Sequence, residues 1–326
     1  MMEILFDEIP SLDLADFTSG TPEQKSTFVK KLGEAYQNIG FVAIKNHGLS
    51  QDLQDRLYNS IKRFFALPDE VKSKYERPEI GFQRGYTGKG KEHAKGRNTG
   101  DLKEFYHVGQ ELSQIPDSDP IKKEYPENLW PEEIPEFKND AIEAYQTLEK
   151  AGKAMLRAIA LNLELPEDYF EDKVAYGNSI LRQIHYFPIE NPDMVPADAV
   201  RAAEHGDINL ITLLMGASAD GLQVLRKDGK WIPITALPDQ LVVNVGDMLE
   251  RLTNKKLKST IHRVVNPPRE LMNTSRFSIP FFMHPRSEMD LTCLESCIDA
   301  DNPKRFKDAT AGEFLEERLR ELGLRK

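Results

Sequence analysis

A mainly β fold with helical additions, of the antiparallel sandwich or jelly-roll kind, is what this sequence predicts, and three observations lead there. From about Ile180 the chain breaks into short apolar runs separated by turn residues, and the helical period disappears. Asp228-Gly229, a strong two-residue hairpin signal, falls between two of those runs. Ahead of Ile180 the apolar residues instead recur at helical spacing, so helices should precede and support the sheets. At 326 residues the chain suits two domains or one large β unit with added helices.

The elements follow in order. Thr21-Pro22-Glu23-Gln24 supplies an N-cap, a proline at the first helical position and a glutamine at the capping-box position, followed by Phe28, Leu32, Ala35 and Tyr36. This helix should stop at Gly40. Residues 41–44 read as a short buried strand, Asn46-His47-Gly48 as a turn, and Ser50 as the cap of a second helix carrying Leu53, Leu57, Ile61 and Phe65. Six glycines interleaved with Arg84, Lys89, Lys91, Lys95 and Arg97 between positions 81 and 100 predict a loop. Residues 116–135 form a second, Pro-rich connection. Phe137, Ile142, Tyr145, Leu148, Met155, Leu156, Ile159 and Leu163 then mark one long amphipathic helix that tolerates Gly152 and ends by Pro166. The predicted strands are 181–187, 208–214, 222–226, 231–234, 241–245, 260–265 and 277–282. Thr310-Ala311-Gly312-Glu313 is a capping box opening a last helix with Phe314, Leu315, Leu319 and Leu322.

Charge and cysteine content narrow the function. With 43 Lys+Arg against 53 Asp+Glu the formal net charge is −10, which disfavours nucleic acid and anionic membrane as partners and favours a small-molecule substrate. Two cysteines, Cys293 and Cys297, are too few to staple a chain of this size and are expected to be thiols. The opening Met-Met-Glu-Ile-Leu-Phe-Asp-Glu-Ile-Pro lacks the pattern of a secretory signal, and no apolar stretch approaches the roughly 18 residues that span a bilayer. A cytoplasmic location is therefore expected.

The chemistry concentrates in three places. His205-Gly206-Asp207 puts an imidazole and a carboxylate two residues apart at the edge of a strand-like run, where they can converge on one ion. His262 lies in the β-branched run Ser259-Thr260-Ile261-His262-Arg263-Val264-Val265, where an inward imidazole needs either a hydrogen-bond partner or a metal. Two histidines and one carboxylate on antiparallel strands are the donor set of non-haem iron oxygenases. Fourteen residues on, Arg276-Phe277-Ser278 aims a permanently charged guanidinium into an apolar strand, which is costly unless an anion or an internal carboxylate meets it. The formal charges of a ferrous ion, Asp207, a dicarboxylic 2-oxo acid and Arg276 cancel. His47, His93 and His284 are expected to be structural or exposed rather than ligands. Phe105 and Tyr106 fit either the core or a pocket wall.

With these residues in view, the chain resembles the iron- and 2-oxoglutarate-dependent oxygenases of the isopenicillin N synthase type. The similar segments run in order through Ile9-Pro10, Gly40-Phe41, Asn46-His47-Gly48 and Asp101-Leu102-Lys103-Glu104, then residues 182–188 and 205–214. They continue with Gly221-Leu222-Gln223-Val224, Asp228-Gly229-Lys230-Trp231-Ile232-Pro233, residues 243–247, residues 259–264 and residues 276–282. The resemblance implies a double-stranded β-helix, or jelly roll, with an N-terminal helical region around it. It implies an N-terminal non-haem dioxygenase-type region at 1–110, a linker and supporting helix at 111–175, the jelly-roll core at 176–290 and a C-terminal extension at 291–326. It further implies that His205, Asp207 and His262 bind Fe(II) and that Arg276 and Ser278 bind the distal carboxylate of 2-oxoglutarate. O2 would be the oxidant, succinate and CO2 products, and hydroxylation the default outcome.

Departures from the family pattern are visible too. Plant members carry Asn-x-Tyr just before a proline at the 2-oxoglutarate site, whereas His185-Tyr186-Phe187-Pro188 stands here, leaving Tyr186 one residue off as the cosubstrate-binding tyrosine. Gly206 and Asn209 also differ from the commonest plant pattern. Three rival readings share the three ligands: an iron oxidase that uses no 2-oxoglutarate, a zinc hydrolase with Glu204 as base, and a non-catalytic module on the same fold.

Overall fold

The computed structural model describes residues 5–91, 101–191, 200–216, 221–234, 237 and 239–321. Twelve strands are present among them: β1 (Ser11–Asp13), β2 (Phe41–Lys45), β3 (Gly85–Thr87), β4 (Glu104–Gly109), β5 (Ile180–Tyr186) and β6 (Ala202–His205), then β7 (Ile211–Met215), β8 (Leu222–Leu225), β9 (Trp231–Pro233), β10 (Leu241–Val245), β11 (His262–Val264) and β12 (Arg276–Met283). The helices are α1 (Leu14–Thr18), α2 (Pro22–Asn38), α3 (Gln51–Phe65), α4 (Asp69–Lys72), α5 (Phe137–Asn162), α6 (Glu171–Val174), α7 (Asp247–Leu252) and α8 (Ala311–Glu321).

The strands form two sheets. The larger has the order β1-β2-β10-β7-β12-β5-β4-β3 and the smaller β6-β11-β8-β9. Every pairing is antiparallel except β1 with β2. This is the jelly roll: two sheets whose inner faces enclose one core, with the helices against the outer face of the larger sheet. The alternation of side chains separates the two sides cleanly. On β12, Phe277, Ile279, Phe281 and Met283 join the core shared with α2, α3 and α5. On β5, Ile184 and Tyr186 instead join Phe105, Val224, Ile232, Val242 and Val264 between the sheets.

The helices form where their caps and apolar stripes direct. Thr21 and Gln24 make the reciprocal capping box of α2, and Ser50 caps α3 through the Leu53 amide. Gly40 follows α2 in the left-handed region at φ 72°, with the Lys258 carbonyl where a Cβ would sit, so only glycine makes this turn. Helix α5 lies on the sheet, and Gly152 lets it approach so closely that an added Cβ would meet Met283 Sδ of β12 at 2.5 Å. Thr310 and Glu313 cap α8 as expected.

Some expectations need correction. The glycine-rich stretch predicted as a loop contains β3, and its residues 92–100, with Lys95, Arg97 and His93, lie outside the described residues, as does Leu322 beyond α8. The sequence assigns no element to the segments that form β1, β4 and β6; β4 is buried along its whole length and so shows no alternation to read. Cys293 and Cys297 are free and buried, as expected of thiols.

Candidate active site

Strand β6 ends in His205, strand β11 begins with His262, and the two residues are direct cross-strand partners. That pairing places their rings 4.4 Å apart. Asp207 comes two residues after His205, just past the end of the strand. A Cβ at Gly206 would lie 3.0 Å from Asp247 Oδ1, so a side chain there would press on the start of α7. The ligand atoms of His205, Asp207 and His262 all lie within 4.8 Å of one another.

The donors of this trio are oriented from outside. The His205 ring donates from Nδ1 to the Ala203 carbonyl at 2.7 Å, and His262 donates from Nδ1 to the Thr260 carbonyl at 3.2 Å. A carbonyl only accepts, so each Nδ1 carries the proton and each Nε2 presents a lone pair. Asp207 Oδ2 accepts from Thr212 Oγ1 at 2.6 Å and from Asn244 Nδ2 at 2.8 Å. Its Oδ1 faces the two imidazoles, 3.6 Å from His262 Nε2 and 3.9 Å from His205 Nε2. These separations exceed a hydrogen bond and leave room for an ion among three lone-pair donors.

Electrostatics favour a cation at this point. Crowding by surrounding protein atoms, then the His262 ring, lower the pKa of His205. Burial works against ionisation of Asp207, but the two imidazoles, Asn244 and Thr212 outweigh it and hold the carboxyl below its usual range. A histidine whose charged form is disfavoured beside a carboxyl whose charged form is favoured is the pattern that metal binding requires.

The residues predicted to meet an anion face the same interior. Arg276 and Ser278 alternate with the outward Phe277 and Ile279, so both face between the sheets, 1% and 4% exposed. Arg276 pairs across the ladder with Tyr186, and its guanidinium lies 4.9 Å from the centre of the Tyr186 ring. The shifted tyrosine thus reaches the arginine from the same rung, on the neighbouring strand. Phe105 faces this interior, packed under the guanidinium of Arg182 at 4.3 Å, whereas Tyr106 is core on the helix side.

Several residues have places that the sequence did not reveal. Thr212 and Asn244 fix Asp207; the signal for Asn244 was a lone amide inside the apolar Leu-Val-Val-Asn-Val run. Asn209 belongs to this same shell, donating to Thr212 Oγ1 at 3.0 Å. Glu204, the base required by a zinc hydrolase, faces the other way: it binds Arg263 at 3.0 Å, which lies over Trp231. His47 is structural as expected, its Nδ1 accepting from the Leu49 amide. His284 is buried and outside the trio, as expected of a residue that is not a ligand, and among the described residues its Nδ1 has no hydrogen-bond partner.

Comparisons with known proteins agree with this geometry. Residues 9–133 match the family described as the non-haem dioxygenase in morphine synthesis N-terminal region, and residues 177–285 match the 2OG-Fe(II) oxygenase superfamily. A 2-oxoglutarate-Fe(II) type oxidoreductase, ppzC of Metarhizium majus, is 30% identical over 98% of this chain and 88% of its own. Proline hydroxylase buaE of Petromyces alliaceus is 32% identical over 96% and 98%. Among solved structures, a 2OG-Fe(II) oxygenase family protein from Caulobacter crescentus superposes with a TM-score of 0.85 at 43% identity, covering 96% of this chain and 98% of that one. A full-length Neurospora crassa protein solved in complex with alpha-KG superposes with a TM-score of 0.83 at 30% identity, covering 98% of each chain. Two sheets closing over a His-Asp-His trio, together with relatives that match end to end, make this chain a member of the 2OG-Fe(II) oxygenase superfamily, an enzyme that uses Fe(II), 2-oxoglutarate and O2.

Proposed function

We propose that His205, Asp207 and His262 hold Fe(II), that Arg276 and Ser278 beside Tyr186 bind the distal carboxylate of 2-oxoglutarate, and that the enzyme hydroxylates a small molecule. The observation that carries this reading is the convergence of three lone-pair donors at one end of an interior whose other side chains include a buried guanidinium. When bound, the iron supplies the centre at which O2 and 2-oxoglutarate are consumed, with succinate and CO2 released. The chain's own residues do the rest. The Ala203 and Thr260 carbonyls fix both imidazoles, Thr212 and Asn244 fix the carboxylate, and Arg276 orders the cosubstrate. Phe105, Ile184, Val242 and Val264 line the interior between the sheets and keep water from the oxidant.

A small-molecule substrate is supported by the relatives, since one is named a proline hydroxylase and the Neurospora crassa protein has also been solved with thymine. We assign the 1–110, 111–175, 176–290 and 291–326 regions as N-terminal region, supporting helix, catalytic core and extension. We also place the enzyme in the cytoplasm, where two buried free thiols stay reduced. No helix among the described residues is long and apolar enough to cross a membrane.

The test is anaerobic titration of the apoprotein with Fe(II) and then 2-oxoglutarate, followed by visible absorption. A weak metal-to-ligand charge-transfer band that needs both additions is expected. Its absence from folded, iron-loaded protein overturns the cosubstrate assignment, and O2 uptake without succinate points instead to an oxidase. Screening amino acids, small acids and nucleobases for stimulated succinate release then identifies the substrate.

A further inference from the structure

The three largest fully buried side chains are all arginines, and two of them, Arg201 and Arg276, approach the same ring. The Arg201 guanidinium lies 5.9 Å from the centre of Tyr186 and that of Arg276 lies 4.9 Å from it. Arg201 stands one residue before β6, the strand that ends in His205, and is 1% exposed. Its Nη2 donates to the Thr274 carbonyl at 2.9 Å, two residues before Arg276, while its Nε has no hydrogen-bond partner. Among the described residues no carboxylate forms an ion pair with it. Burial first, and the Arg276 charge second, lower its pKa.

The Arg201 guanidinium is held out of water beside a phenol and repelled by the Arg276 charge, and an aromatic face offsets only a small part of what desolvation costs it. A carboxylate beside Arg201 relieves that penalty, and a guanidinium fork matches that group in shape and charge. We propose that Arg201 is a second cation of the cosubstrate pocket, acting with Arg276 on the distal carboxylate of 2-oxoglutarate and setting a preference for dianionic over monoanionic 2-oxo acids. This rests on the reading that Arg276 binds that carboxylate. Arg201 is then a specificity residue, since a monoanionic 2-oxo acid can chelate the metal yet offers the two arginines nothing.

The experiment is calorimetric binding of 2-oxoglutarate and of 2-oxobutyrate to the full-length protein loaded with Mn(II), which reads affinity without turnover. Arg201→Met should weaken 2-oxoglutarate by about tenfold or more, the size of one lost charge-assisted contact, and leave 2-oxobutyrate nearly unchanged. Arg201→Lys should restore much of the preference. Equal weakening of both acids would mean a merely structural role, and no weakening would mean none; either overturns the proposal. Should Arg201→Met fail to fold, Arg201→Lys still decides, because loss of the preference with charge retained contradicts the electrostatic account. Arg276→Met is the parallel control: if it keeps the preference, the parent reading fails, whereas its loss with Arg201 variants unaffected sinks only the second cation.

Discussion

Two buried carboxylates on opposite sides of the larger sheet meet histidines in different ways. On the helix side, Glu104 of β4 has both oxygens satisfied: Oε1 accepts from His185 Nδ1 at 2.8 Å, and Oε2 accepts from Lys72 Nζ at 2.9 Å and from the Tyr86 hydroxyl. His185 continues to Ser275 Oγ at 2.9 Å and stacks on Phe277 at 4.7 Å. Between the sheets, Asp207 has one oxygen satisfied and turns the other toward two imidazoles that stand beyond hydrogen-bonding distance. The same residue types therefore build a closed ionic joint in one place and a metal centre in the other. What separates them is about an ångström of spacing and which ring nitrogen faces the acid.

The comparison breaks first at Asp207. Asp207→Ala is expected to abolish iron retention, the charge-transfer band and succinate release while leaving thermal unfolding close to wild type; metal analysis and calorimetry check both. Glu104→Gln should do the reverse. Removing that charge leaves Lys72, 2% exposed, with the exposed Asp69 as its remaining ionic partner, and breaking a buried pair costs up to roughly 3–5 kcal/mol, read as a drop in the denaturation midpoint with the band retained in folded protein. If Glu104→Gln instead lost the band with stability intact, the joint would belong to the active site and the contrast would fail.

Smaller effects sharpen it. Thr212→Val leaves every ligand in place but removes one donor to Asp207, and metal affinity should fall about 10–100-fold in a competitive chelator titration. The closed joint should also show in acid. Burial pushes Glu104 up, but hydrogen bonds from His185, Lys72 and Tyr86 outweigh it and bring its pKa down to about 2 from 4.5. A depressed carboxyl stabilises fully above its unfolded value and loses that contribution as pH falls from about 4.5 through about 2. Unfolding free energy measured over this window should decline less steeply in Glu104→Gln. Thr21→Ala, at a helix cap in neither region, should cost about 1 kcal/mol and leave metal binding unchanged.

Much of the site was legible because local patterns carry it. His-x-Asp, a histidine in a β-branched run and Arg-x-Ser each announce a polar group in an apolar setting, and the structure brings all of them into one interior. The caps at Thr21, Ser50 and Thr310 gave the helices for the same reason: capping is a contact within four residues. What stayed hidden depends on distant partners. Glu104 finds Lys72 across 32 positions and His185 across 81, and nothing near Glu104 in the chain marks it as buried. Arg201 likewise acquires its meaning only when β5 and β12 bring Tyr186 and Arg276 beside it. Strands β3 and β4 escaped notice because both faces of each are covered.

Strand β12 has a last implication for anyone engineering this enzyme. Its outward residues are the seat of α5, with Gly152 pressed against Met283, while its inward Arg276 and Ser278 are the residues proposed to bind the cosubstrate. Thermostability campaigns directed at that helix interface, far from any reacting atom, will therefore retune Michaelis constants, and selection for tighter 2-oxoglutarate use can enrich substitutions that look like ordinary packing changes.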